Sequence, residues 1–341
     1  MGSAVSRRKF LEMMGLAGLA SGMPSFLSVD RATAKEVYPS SRITFVCGSP
    51  PGGGSDLAAR GVATFLPQYL KEVSSSAKGG EIVVKNVPTA SGMKARTTVY
   101  NSDPDGYTIG DFIQGYLFDY TFGSDKPSFD VKKFTWLFAS NMAVYVLVSR
   151  KNGPATWEEM LGAAKKEPLR WLAGSYASSM HINSIWVKEV VDIPARFLTI
   201  AGASGVVSSL IRGDGDVTMI PIDSAKAVID SKDVNVLATF TEKRYYPNAP
   251  TIIEKGYPQF LPHVNSARLV MGPPSMTPEA KEILIKAVQK MYGDPKYQAY
   301  CRTLGSILFP MVGKQVDEAI ANRIKLYQDL APILKKHMKF G

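Results

Sequence analysis

The chain has 341 residues, 45% of them hydrophobic and 21% charged. That is apolar material enough for two packed domains, and too little charge for wholesale disorder. The net charge is +10, but Lys and Arg are scattered rather than gathered into a basic stretch with interleaved aromatics, so no nucleic acid is expected as a partner.

The N-terminus has the pattern of an address. Arg7 and Arg8 precede Phe10 and Leu11, a Gly/Ala-rich apolar stretch runs from Met13 to Leu27, and Ala32-Thr33-Ala34 follows as a cleavage pattern. Residues 1–34 are expected to be an export signal of twin-arginine type, cleaved after Ala34, with an ordinary secretory signal as the alternative. No later run reaches about 20 apolar residues, so the mature chain is expected to be soluble in the periplasm.

Next comes "ITFVCGSPPGGGSDLAARGVATFL", a strand at Arg42 to Cys47, a glycine loop and a helix from Ser55 to Lys71 with apolar residues at helical spacing. "EIVVKNVPTASGMKA" predicts a strand at Glu81 to Asn86 and a helix through Asn101. "DPDGYTIGDF" is a turn and a strand. Two apolar runs lie close together in "WLFASNMAVYVLVSR". "GPATWEEMLGAAKKEP" is a helix capped by Thr156, with Glu158 and Glu159 in its first turn. "LRWLAGSYASSMHINSIWVKEVV" repeats strand, small-residue loop and helix. Strands at Arg196 to Ile200 and Val217 to Ile220 repeat it again, and "VNVLATFT" is one more strand. After a Pro-rich stretch, two helices close the chain, Pro278 to Leu304 and Gly313 to Lys336. Strands alternating with helices imply parallel sheets covered on both faces, with ligands beyond the carboxyl ends of the strands.

The glycine loops match no nucleotide or hydrolase signature. "GGGSDLAARG" has Leu57 where a dinucleotide loop needs its third glycine and lacks the Lys of a P-loop; no G-x-S-x-G is present. Cys47 and Cys301 fit no metal-ligand spacing, and stand as two buried free thiols or one long-range disulfide. What remains is the chemistry of helix N-termini: unpaired amides and partial positive charge, approachable where glycine removes Cβ, and suited to a carboxylate as well as a phosphate.

In this order and at these intervals, "PPGGGSDLAAR", "VVKNVPTASGMKA", "DPDGYTIG", "AGSYASSMH", "GASGVVSSLIRGDGDVTMI" and "LATFTEKRYYPNAPTIIEKGYP" make the chain resemble the extracytoplasmic solute-binding proteins of tripartite tricarboxylate transporters, the Bug receptors. The resemblance covers nearly the whole mature chain. It implies an α/β fold, a periplasmic-binding-protein-like clamshell of two doubly wound domains, with domain 1 at 35–146 plus 265–341 and domain 2 at 147–264. It also implies a small organic carboxylate as ligand, delivery to large and small membrane subunits, a monomer, no cofactor and no catalysis.

Carried over by position, the first ligand loop is Ser49, Pro51, Gly52, Gly53, Ser55 and Asp56. The second is Ser178, Ser179 and His181. The third is Ala203, Ser204 and Gly205, with Asp223 and Ser224 at the end of the following strand. Asp56 sits awkwardly beside an anion, and bracing the helix start from the side or orienting a water are its other roles. The sequence departs from the family at "SARLVMGPPSMTP", where some relatives have a Trp-aromatic-Gly stretch; Arg268 there faces either cleft or solvent. Tyr116, Phe118, Tyr120 and Phe122 form either an aromatic cleft wall or a packed segment. A sensor built on the same cleft, and an exported enzyme using His181 and Asp223, are the competing functions.

Overall fold

The computed structural model describes residues 37–74, 79–90, 92–123, 127–261 and 263–338, so the expected export signal lies outside the described residues. Ten strands and ten α-helices follow in chain order among these: β1 (Ile43–Cys47), α1 (Gly54–Val73), β2 (Ile82–Asn86), α2 (Met93–Tyr100), β3 (Thr108–Ile113), α3 (Tyr116–Phe122), β4 (Thr135–Ala143) and β5 (Tyr145–Arg150); then α4 (Trp157–Lys166), β6 (Leu169–Ala173), α5 (Ser179–Val191), β7 (Ala195–Thr199), α6 (Gly202–Arg212), β8 (Val217–Pro221), α7 (Ile222–Asp230), β9 (Val234–Thr239) and β10 (Ser266–Gly272); and finally α8 (Pro278–Tyr292), α9 (Pro295–Leu304) and α10 (Lys314–Leu334).

The strands form two five-stranded sheets, in the orders β2-β1-β3-β10-β4 and β7-β6-β8-β5-β9. Each sheet with its helices is one lobe of the clamshell. Both sheets are mixed, not parallel throughout as the strand–helix alternation predicts. β10 runs antiparallel to β3 and β4, and β5 antiparallel to β8 and β9. The reason lies in how the chain changes sheets. It passes from β4 to β5 through Val144 alone, and returns from β9 through the segment before Ser266 into β10. Neither passage has a crossover helix to reverse direction, so the arriving strand enters its sheet backwards. The two sheets therefore share one topology, with the reversed strand fourth in each.

Strand alternation splits the first lobe's core. Ile43, Phe45 and Cys47 of β1 join one buried cluster, under α1 and α8, while Val46 points into the other. On α1, Ala59, Val62, Leu66 and Leu70 recur at helical spacing and are buried against Leu284, Val288 and Met291 of α8. The second cluster runs from Phe112 and Phe134 through Val144 and Tyr145 to Trp171 and Phe240, joining the lobes. Both cysteines are buried and free.

The expected C-terminal helix Pro278 to Leu304 is two helices. Pro295 cannot continue α8, and Asp294 instead caps α9, its Oδ1 accepting from the Lys296 amide at 2.8 Å. The last helix, α10, packs on both α3 and α5 and so straps the lobes together. Among the described residues, no helix is long and apolar enough to cross a membrane.

Candidate functional site

In each lobe a helix follows a parallel strand, so its N-terminus stands at that strand's carboxyl end. The starts of α1, α5, α6 and α7 lie on the wall of one cavity of about 460 Å³. The reversed strands contribute their opposite ends there, with Tyr145 from β5 and Ser266 and Arg268 from β10. The cavity is a cleft between the lobes, lined by both.

The first loop supplies Ser49, Pro51, Gly52, Gly53 and Ser55 to the wall. Gly52 has a φ of +80°, which favours glycine, and its amide donates to Asp56 Oδ2 at 2.9 Å. Asp56 is off the wall. It is buried and braces the loop, accepting also from Arg60 Nε at 2.9 Å and from Asn86 Nδ2 at 2.8 Å. Burial pushes its carboxyl up, but these hydrogen bonds outweigh burial and hold it below the ordinary range. Behind the loop, Asp111 Oδ1 accepts from the Gly48 amide at 2.6 Å.

The second loop supplies Ser178 and Ser179. Ser178 caps α5, its Oγ accepting from the His181 amide at 3.3 Å. A Cβ on Gly115 of the first lobe would come within 2.8 Å of the Ser179 backbone nitrogen, so glycine there lets the lobes meet. His181 does not reach the wall. Its ring is buried between Tyr176 and Phe197, with centroids 5.5 and 5.6 Å away, and Nδ1 accepts from the Ala177 amide at 3.4 Å. Burial pushes its pKa down to about 4, and His337 adds to the effect. The ring braces the loop, and of the two residues that the enzyme alternative used only Asp223 lines the cavity.

The third loop supplies Ala203 and Ser204. Gly205 lies off the wall, packed so that a Cβ would sit 3.0 Å from the Ile200 side chain. At the head of α7, both Asp223 and Ser224 line the cavity. Arg268 faces the cleft, not solvent. Its Nη2 pairs with Asp223 Oδ2 at 2.5 Å and its Nη1 donates to Asn141 Oδ1 at 3.0 Å. This ion pair joins the two lobes.

The aromatic segment divides. Tyr116 lines the cavity, and the buried Arg96 guanidinium lies 3.1 Å from its ring centroid. Phe118 packs into the core beside Phe122 and Tyr327, and Tyr120 donates to Asp130. Sequence reasoning missed Gly54, Gly115 and Gly202, although each follows a strand as the named loops do. It also missed Tyr145 and Ser266, which no local signal marks because they lie at the start of reversed strands.

The family model for the "Tripartite tricarboxylate transporter family receptor" matches residues 68–334. Among curated proteins, a UPF0065 protein in the tcbD-tcbE intergenic region of a Pseudomonas species is 27% identical over 251 residues, 72% of each chain. Among solved structures, a Rhodopseudomonas palustris protein with adipate aligns with a TM-score of 0.76 and 20% identity, covering 87% of this chain and 98% of its own. MatC from the same organism, with bound malate, aligns with a TM-score of 0.73 and 18% identity, covering 86% and 99%. The clamshell fold is shared with both, and the chain belongs to the tripartite tricarboxylate transporter family of receptors.

Proposed function

We propose that this chain is an exported receptor that captures a small organic carboxylate between its two lobes, the chain passing from one to the other at Val144 and back before Ser266, and delivers it to the large and small membrane subunits of a permease. The export signal ends at Ala34 in this reading, and the receptor works in the periplasm as a monomer. The observation that carries the proposal is the convergence of four helix N-termini, from both lobes, on one cavity of about 460 Å³. Such a wall offers oriented amides and partial positive charge without any reactive side chain. Ser49, Pro51, Gly52, Gly53, Ser55, Ser178, Ser179, Ala203, Ser204 and Ser224 are the wall residues assigned to the ligand. Charge-assisted hydrogen bonds contribute about 1.5–3 kcal/mol each, so three or four, with apolar packing, reach the roughly 8 kcal/mol of a micromolar receptor. Fold relatives with malate and adipate support an acid as ligand.

The test is calorimetric titration of the chain from Lys35 onward with mono-, di- and tricarboxylates and with their uncharged amides. Micromolar binding of an acid whose amide does not bind is expected. Equal binding of acid and amide, or no acid binding at millimolar concentration, would refute the proposal.

A further inference from the structure

The cleft already contains a carboxylate of its own. Asp223, in the first turn of α7, is held by Arg268 through Oδ2 and by the Ser224 hydroxyl through Oδ1 at 3.0 Å. It also lies against the first residue of α1: a Cβ on Gly54 would come within 2.9 Å of Asp223 Oδ1 and 2.5 Å of Arg268 Nη2. A guanidinium, a hydroxyl and the starts of two helices therefore surround it, which is the setting that a bound organic anion would seek. Both side chains line the cavity yet are almost fully desolvated, 2% exposed for Asp223 and 8% for Arg268.

Arg268 is the one cation among the described residues lining the cavity, and both its terminal nitrogens are engaged, by Asp223 and by Asn141. The starts of α5 and α6, with Ser178, Ser179 and Ser204, lie on the same wall. Ile113, Tyr116, Ala143 and Met180 supply an apolar lining.

We infer that Asp223 fills one anion position of the cleft permanently, so that the receptor selects acids with a single carboxylate and an apolar body over diacids of the same length. The inference rests on the carboxylate reading above and narrows it. A diacid would bring its second charge beside Asp223, where a like-charge contact costs several kcal/mol and the one cation is already taken.

The test uses chain-matched pairs, butanoate with succinate, hexanoate with adipate and octanoate with suberate, titrated into three proteins. The wild type should favour the monoacid of its best pair by at least about tenfold. In Asp223→Asn, Arg268 loses its anion, and the diacid should gain at least about tenfold relative to the monoacid. In Asp223→Asn with Arg268→Met, that gain should vanish while the monoacid still binds. A wild type that binds the diacid as tightly as the monoacid overturns the inference and leaves the carboxylate reading standing. So does an Asp223→Asn protein, folded by circular dichroism, that shows no gain. Should that variant fail to fold, the wild-type ratio decides alone. If no acid binds to any of the three, the carboxylate reading falls and takes this inference with it.

Discussion

At the residue scale, the three expected positions that lie off the wall show how a binding loop is held. Asp56 and His181 brace their loops with hydrogen bonds, and Gly205 packs against Ile200. The motif around them was legible, but which positions face the cleft was not. On α5 every residue from Ser179 to Val187 is buried, so no polar face marks which side looks into the cleft. His181 makes the consequence measurable. Its folded pKa of about 4 lies below the ordinary 6.5, so the unfolded chain takes up the proton first. Its contribution to stability is therefore full above about pH 6.5 and is lost as pH falls towards 4, by at most roughly 3 kcal/mol. Urea denaturation of the wild type and of His181→Asn at several pH values in that window should show the shallower pH dependence in the variant. Parallel profiles would disprove the assignment.

Elements were easiest to read where backbone chemistry is local. Thr156 caps α4 as its sequence indicates, accepting from the Glu159 amide at 3.1 Å, and the repeated strand, small-loop and helix units lie where the pattern puts them, while the short α3 has no counterpart in the sequence reading. The Gly-Asp-Pro break between α8 and α9 was also in the sequence, but the helical spacing on either side masks it. The role of α10 was not legible, because it depends on long-range partners. Arg323 of this helix donates to the carbonyls of His263 and Asn265 at 2.6 and 2.9 Å and to Gln114 Oε1 at 3.0 Å. Asn265 in turn accepts from the Tyr145 amide at 3.0 Å and donates to the Phe240 carbonyl at 2.7 Å, so one helix pins both passages between the lobes. Arg323→Met would strand the carbonyls of His263 and Asn265, the latter in a buried residue, while Gln114 Oε1 keeps the Ala267 amide at 3.3 Å. It should cost roughly 2–4 kcal/mol by chemical denaturation; a loss under about 1 kcal/mol would show that α10 is not the pin described here.

For the whole molecule, two sheets of one topology are joined by a continuous apolar cluster through Val144 and Tyr145. With no aqueous boundary between the lobes along that path, residues 37–338 should unfold in one calorimetric transition, with calorimetric and van 't Hoff enthalpies equal. Two resolved transitions would mean that the lobes melt separately and that the shared cluster contributes little. By itself the sequence determined the repeated strand–loop–helix unit, and hence that helix tips with small residues gather at the carboxyl ends of strands, because turn chemistry and periodicity are written within a few neighbouring residues. Only the tertiary structure decided that β5 and β10 run backwards and that Tyr145 and Ser266 reach the cleft. It also decided that Arg268 finds Asp223, 45 residues away, across the gap between lobes. Strand order and direction come from pairing and burial between segments far apart in the chain, and no short window of sequence carries that energy.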